Sequence, residues 1–357
     1  MQLKQNAQWD LLTATSMGVR ITPQSGQPVQ SEALYRMQAT SAESNVLSIS
    51  SYLGLKTKVL TSLVKGSPIA QFIRSDLAAR GVDVEANEVE QGDPWGYRHQ
   101  FNIADSGYGS RGPRVHNDRA GEVGRTLSVD NFDLQRIFGQ EGVRIVHISG
   151  LIAALSPDTA KFCLELARVA QQHGSLISFD LNYRASFWKD RDDELRAVFT
   201  EIASVSDILV GNEEDFQLAL GVEGPPAGGT GLAETLDAFK GLIGTVKERF
   251  PHAKVYATTL REVIHTNSHL WGAVLSVGDD WHLAEPREIH VLDRIGGGDG
   301  FVGGLLYGIL KAWDPEKWLH FGWASGALAT TFLTDYAQPA DEDQVWAIWN
   351  GNARVQR

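Results

Sequence analysis

The chain has 357 residues, 43% of them hydrophobic, with ten tryptophans; that is enough apolar material for a core and excludes intrinsic disorder. A formal charge of −12 and the lack of a basic stripe exclude a nucleic-acid footprint, although local arginines and helix ends can still bind small anions. A single cysteine, Cys163, excludes an internal disulfide and fits a reducing compartment.

In chain order, residues 11–15 read as a first strand, with extended chain from 19 to 22 before Pro23. Residues 24–38 are polar and carry few helical signals. Ser41 is a candidate N-cap for a helix over 42–53, and 57–63 reads as strand. Ser67-Pro68 opens a second helix, which stops at Gly81. Between 82 and 125, short strand-like pieces (97–103, 114–116) lie among several glycines. With the polar stretch before it, this region is the candidate for a small β-lid, drawn from about 17–39 and 93–121 of a single domain spanning 1–357. A regular rhythm follows. Strands are expected at 143–148, 176–179, 208–210, 254–258 and 271–277. Helices are expected at 156–173, 190–205, 213–220 and 233–250, with a loop over 221–231. Strand–helix alternation of this kind predicts an α/β fold with a mostly parallel sheet covered on both faces.

In such sheets ligands bind beyond the carboxyl ends of the strands. Polar residues collect there: Ser149-Gly150, Asp180 to Arg184, Asn212 to Asp215, and Thr259 to Glu262. The densest case is Gly296-Gly297-Gly298-Asp299, between a strand at 288–292 and a helix at 301–311. Glycines let backbone N–H groups converge, and a helix N-terminus adds positive potential, so the turn suits an anion. Asp299 places a carboxylate where an anion is expected, a natural position for a base that takes a proton from an attacking hydroxyl. Two other readings fit the letters. Asp299 could be an ordinary helix cap. Gly298 to Gly303 also satisfies the dinucleotide pattern G-x-G-x-x-G, but that pattern should open a βαβ unit and here another helix is expected next.

These stretches together resemble the ribokinase-like (PfkB) carbohydrate kinases, and within them the kinases of 2-keto-3-deoxygluconate. The likeness rests on Phe179 to Arg184, Asn212 to Asp215, Thr259 to Glu262 and Glu288 to Asp299. Ala42 to Asn45 and Asn117 to Ala120 match more loosely. It implies a ribokinase-like three-layer sandwich with a β-lid, and ATP-dependent phosphorylation of a sugar-acid hydroxyl with Mg²⁺. Asp299 would be the base, and Gly296, Gly297 and Gly298 would hold the transferred phosphoryl group. The substrate side would include Arg119, Arg184, Asn45, Thr40, Ser41 and Asp180. Thr259, Arg261, Asn212 and Asp293 would lie on the nucleotide side, and Asn212 and Asp215 on the metal. Taken singly, Arg184 could instead pair with Asp180, and Asn212 could cap the helix after it.

The departures cluster at the sugar end. Thr15-Ser16 stands for the family's Gly-Glu, Thr40-Ser41 for its Gly-Gly, and Asn117 for its tyrosine. They leave open a kinase of a different sugar, or a non-catalytic sugar- or nucleotide-binding protein. An exposed lid sheet makes a homodimer through the lid an expectation. The N-terminus lacks the apolar h-region of a signal peptide and no run reaches the length of a membrane span, so a cytoplasmic enzyme without membrane or nucleic-acid partners is expected.

Overall fold

The computed structural model describes residues 1–24, 26–224 and 232–354. The first part of the chain runs β1 (Trp9–Ala14), β2 (Gly18–Pro23), β3 (Tyr35–Thr40), α1 (Ala42–Tyr52), β4 (Thr57–Val64), α2 (Pro68–Ala79), β5 (Val82–Val89), β6 (Phe101–Asp105) and β7 (Arg114–Asp118). It continues as β8 (Val143–Ser149), α3 (Gly150–Ala153), α4 (Pro157–Gln172), β9 (Leu176–Asp180), α5 (Ala185–Trp188), α6 (Asp192–Val205), β10 (Ile208–Val210), α7 (Glu213–Leu220) and α8 (Leu232–Arg249). The last part comprises β11 (Val255–His265), β12 (Ser268–Val277), β13 (Asp280–His290), α9 (Gly297–Leu310), α10 (Pro315–Ala329) and α11 (Glu342–Trp349). The loop expected over 221–231 lies largely outside the described residues.

Nine strands form one sheet in the order β13-β12-β11-β10-β9-β8-β1-β4-β5, parallel from β11 to β5. Alternate residues of a strand point to opposite faces, and this divides the core in two. Leu12 and Ala14 of β1 join Phe162, Phe199 and Phe239 from α4, α6 and α8. Leu11 joins Leu47, Ile73, Phe301 and Phe321 from α1, α2, α9 and α10. Helices thus cover both faces, the arrangement the strand–helix rhythm predicted. Cys163 is buried in the first of these layers, where burial pushes its thiol pKa up.

The far edge of the sheet differs from expectation. β11 does not end at Thr258: it runs on through Thr259, Leu260 and Arg261 to His265, paired antiparallel with β12. Residues expected on a loop therefore sit in a strand. The reason is partner length, because β10 has three residues whereas β12 offers ten. β13 starts at Asp280, eight residues before the strand expected there, and pairs antiparallel with β12. Val277 pairs with Asp280 across Gly278-Asp279, a two-residue turn with Gly278 at φ 58°. A Gly-x turn between two apolar runs is a hairpin signal, and it marks this hairpin in the sequence.

The second sheet has the order β3-β2-β6-β7, with parallel β2–β6 pairing between two antiparallel pairs. Tyr35, Met37 and Val115 on its strands are exposed. It is tied to the main body by Arg20 of β2, which is buried and ion-paired to both Asp293 and Asp335. Removing one partner from a buried charge set of this kind costs about 3–5 kcal/mol, so this junction is firmly held.

Candidate active site

A cavity of about 1010 Å³ lies between the two sheets, at the carboxyl ends of the parallel strands. α9 begins at its wall, at Gly297, earlier than the helix expected from residue 301. Gly296 is the N-cap, left-handed at φ 87°, and no side chain caps the helix. The N–H groups of Gly297, Gly298 and Asp299 therefore sit in a first turn that has no intrahelical acceptors for them. Gly298 and Asp299 line the cavity, with the positive end of the helix dipole at its wall.

Asp299 is not a cap. Its carboxylate accepts a hydrogen bond from Asn45 Nδ2 at 2.8 Å. Gly303 lets α1 and α9 approach closely enough for this contact, since a Cβ there would lie 2.5 Å from Val46 O. Burial raises the Asp299 pKa to about 8; the Asn45 hydrogen bond opposes the shift, and Asp180, Asp335 and Glu43 add to it. Asp180, at the end of β9, is raised to about 7 by burial and by Asp215. A carboxyl group that titrates near neutrality and lies in an anion-binding turn has the properties of a general base.

Gly296 and Gly298 are glycines for different reasons. A Cβ on Gly296 would lie 1.8 Å from Asp335 O, so the turn itself requires glycine. A Cβ on Gly298 would meet nothing within 4 Å, and its φ is not positive. The fold makes no demand for glycine there, and the open space is what an anion on the helix N-terminus needs. Gly298→Ala should therefore keep or slightly raise Tm, because alanine favours helix over glycine by about 0.8–1 kcal/mol. It should also lower turnover by roughly 10²-fold, because the added methyl group displaces the anion from the helix N-terminus, an effect on the scale of one lost anion-hole donor. Thermal unfolding and steady-state rates measured on the same preparation check this, and unchanged rates would mean the space is not used.

Of the residues expected on the substrate side, Asn45, Thr40, Ser41, Asp180, Arg119 and Arg184 all line the cavity. Thr40 Oγ1 donates to Asp335 Oδ2 at 2.6 Å. Ser41 caps α1 by accepting from Ser44 N at 3.1 Å. Both hydroxyls are thus engaged within the protein. Arg119 Nη1 donates to Glu122 Oε1 at 2.6 Å. Arg184 is exposed and donates to Tyr183 O at 2.8 Å; among the described residues it forms no ion pair with Asp180.

On the other side, Thr259 and Arg261 of β11 line the cavity with Arg294, which sequence reasoning did not single out. Neither arginine has an ion-pair partner among the described residues. Burial and the neighbouring Arg294 lower the Arg261 pKa to about 10. His269 is held near 4 by burial and then by the same two arginines. Two like charges held together without a counter-charge make a strongly positive patch suited to a polyphosphate.

Asp293, expected on the nucleotide side, is instead fully buried. Its carboxylate takes Arg20, Ser106 Oγ at 2.6 Å and Ile295 N at 3.0 Å. It shapes the approach to the glycine turn without reaching the cavity. Asn212 forms a capping box with Asp215: Asp215 N donates to Asn212 Oδ1 and Asn212 N to Asp215 Oδ2, each at 2.9 Å. Asp215 Oδ1 also accepts from Tyr183 N at 3.0 Å. The next residue, Glu213, is buried on the cavity wall with Oε1 unpartnered. No group of three or more His, Cys, Asp and Glu among the described residues is placed to hold a metal ion. Mg²⁺ usually keeps several waters and takes one or two carboxylates beside substrate phosphates, so Glu213 with Asp215 fits its needs.

Arg20, Asp335, Glu43 and Glu122 were also missed. Glu43 accepts from Thr15 Oγ1 at 2.5 Å and from Ser149 Oγ, and so occupies a buried position between β1 and β8. Its neighbour Asn45 carries the motif likeness, whereas Arg20, Asp335 and Glu122 fall in stretches with no local signal.

A mostly parallel α/β sheet, a second sheet across the cavity mouth, and a glycine helix N-terminus holding a basic carboxylate define a phosphoryl-transferring enzyme of the ribokinase-like fold. The model of the pfkB family carbohydrate kinases matches residues 35–337, and the chain belongs to that family. It is a sugar kinase. Over 351 residues it is 25% identical to a 2-dehydro-3-deoxygalactonokinase of Haloferax volcanii, covering 98% of this chain and 99% of that one. A 5-dehydro-2-deoxygluconokinase of Clostridium perfringens is 28% identical over 210 residues, covering 59% of this chain and 55% of that one. The crystal structure of 2-dehydro-3-deoxygluconokinase from Thermotoga maritima superposes with a TM-score of 0.85 at 25% identity, covering 96% of this chain and 98% of that one. A putative ribokinase II from E. coli, solved with ATP and Mg²⁺, shares the fold at a TM-score of 0.76 and 18% identity, covering 96% and 99% of the two chains. No helix among the described residues is long and apolar enough to cross a membrane.

Proposed function

We propose that the protein transfers the terminal phosphoryl group of ATP to a hydroxyl of a sugar acid, with 2-keto-3-deoxygluconate as the candidate substrate, in keeping with the name of the structurally similar kinase of Thermotoga maritima. The observation that carries this reading is Asp299, a carboxyl group titrating near pH 8 in the first turn of an uncapped helix with open space over Gly298. Asp299 takes the proton from the sugar hydroxyl as it attacks, and Asn45 orients its carboxylate. The amides of Gly297 and Gly298 hold the transferring group through the helix N-terminus. Arg261 and Arg294 hold the remaining phosphates, and Thr259 lies beside them. Glu213 and Asp215 would hold Mg²⁺, which when bound neutralises phosphate charge. Arg184, which forms no direct ion pair among the described residues, meets the acid group of the sugar, and Arg119 supports it from the second sheet.

A second reading, a kinase of a different sugar, is favoured by the sugar end. Thr40 and Arg119 are both engaged with carboxylates of the protein there. ATP consumption measured against a panel of sugar acids and neutral hexoses separates the two. We expect turnover of a keto-deoxy sugar acid. Arg184→Ala should weaken kcat/KM for the acid by about 2 kcal/mol more than for a neutral hexose, the lower end for truncating a charge pair because the residue is exposed. Equal losses on both would sink the acid clamp, and no ATP consumption with any sugar would sink the kinase reading.

A further inference from the structure

Glu122 is a buried carboxylate that the reaction above does not use. It lies four residues beyond the end of β7 and is 1% exposed. Its Oε1 accepts from Ser16 Oγ at 2.5 Å and from Arg119 Nη1 at 2.6 Å. Its Oε2 has no hydrogen-bond partner. Ser16 and Arg119 both line the cavity, and the Arg119 side chain keeps one-fifth of its surface exposed there.

Arg119 does not need this carboxylate for its own solvation, because its guanidinium reaches the cavity. The two hydrogen bonds would be equally well accepted by a neutral side-chain amide of the same length. An ionised carboxylate with one oxygen unpartnered in the interior is, by contrast, costly to keep. Folding alone therefore gives no reason for the negative charge. What the charge changes is how Arg119 presents itself to a ligand. An anion arriving at Arg119 also meets the field of Glu122 one hydrogen bond behind it. Arg20 is already neutralised by Asp293 and Asp335. Of the arginines on the sugar side, only Arg184 forms no direct ion pair among the described residues, although it lies in the field of Asp180 and Asp215.

We propose that Glu122 is a specificity-determining residue. It offsets the charge of Arg119 and so reduces the preference of the cavity for an acid sugar over a neutral one of the same shape. Recognition then falls more on the sugar hydroxyls, for which Asn102, Asn117 and Asp180 line the wall. The substrate class is a sugar acid whose carboxylate is held through Arg184 and gains little from Arg119. This inference rests on the sugar-kinase reading and on the sugar lying beside Arg119.

The test is a cycle of wild type, Glu122→Gln, Arg119→Gln and the double variant. Its readout is the ratio of kcat/KM for 2-keto-3-deoxygluconate to kcat/KM for a neutral ketohexose. Glu122→Gln should raise the ratio roughly 10- to 100-fold, the size of one unit charge about 6 Å away at an effective dielectric near 20, reduced by screening. The gain should vanish when Arg119→Gln is also present, because it acts through that residue. An unchanged ratio, or a gain that persists without Arg119, overturns the inference; a purely structural role would lower Tm and both rates together. Glu122→Asn carries the same expectation should the glutamine variant fold poorly. If wild type turns over neither sugar, the kinase reading fails instead. Calorimetric titration of the sugar acid then decides this inference alone: tighter binding to Glu122→Gln upholds it, and equal or absent binding overturns it.

Discussion

Asp299→Asn should lower kcat by about 10²–10⁴-fold, the range for loss of a positioned general base, while leaving ATP affinity near that of wild type. The substitution keeps the shape of the side chain and its contact with Asn45 and removes only the basic oxygen. The same residue should govern the pH profile. With a pKa of about 8, raised first by burial, Asp299 is protonated in most free enzyme molecules at neutral pH. The kcat/KM for the sugar should therefore climb about tenfold per pH unit below that value and level off above it. The stability effect has the opposite sign. Folding raises this pKa from near 4, so the native state binds an extra proton across the window from about pH 4 to about pH 8. Stability is then lost as pH rises through that window. Asp299→Asn should have a higher Tm than wild type above pH 8, and the gap should close near pH 4. A variant that keeps wild-type kcat would remove Asp299 from the chemistry, whatever its Tm.

Gly296→Ala should be the most damaging single methyl group in the protein. An L-residue at φ 87° costs about 1–2 kcal/mol on conformation alone. The added Cβ would also lie 1.8 Å from Asp335 O and 2.4 Å from its carbonyl carbon, both backbone atoms that no rotamer change can move. Displacing Asp335 loosens its side chain, which holds Arg20 of β2 and Thr40 of β3. One methyl group would thus disturb both the anion-binding turn and the junction between the sheets. Tm should fall, and kcat should fall by at least about 10²-fold as the amides of the turn lose their alignment, an effect on the scale of a lost oxyanion donor. Gly298→Ala, two residues away, should lose activity without losing Tm. Parallel unfolding and kinetic measurements on the two variants separate a glycine that the fold requires from one that the ligand requires. Equal losses of Tm in both would show that the distinction between them is wrong.

The sequence by itself determined the alternation of strands and helices, because apolar periodicity and caps such as Ser41 and Ser67-Pro68 are local. It also determined the glycine turn with its odd carboxylate, since the chemistry of Gly296 to Asp299 is contiguous. The helix start was misplaced by four residues, because glycines carry no periodic signal, and α9 takes up Gly297 and Gly298 only through its packing on α10 and α1. The strand expected at 254–258 is shorter than β11 because β11 is extended by its partner β12, and pairing between strands is not written in either strand alone. What Asp293 does was decided by Arg20, 273 residues away in sequence. Asp335, Glu43 and Glu122 matter for the same reason. Each is an ordinary acidic residue in its own stretch. Packing of α1 on the main sheet places Glu43 against Thr15 and Ser149, and closing of the second sheet over the first places Asp335 against Arg20 and Glu122 against Ser16. Burial then raises the Asp299 pKa, an effect that exists only once the surrounding helices and sheets exclude water.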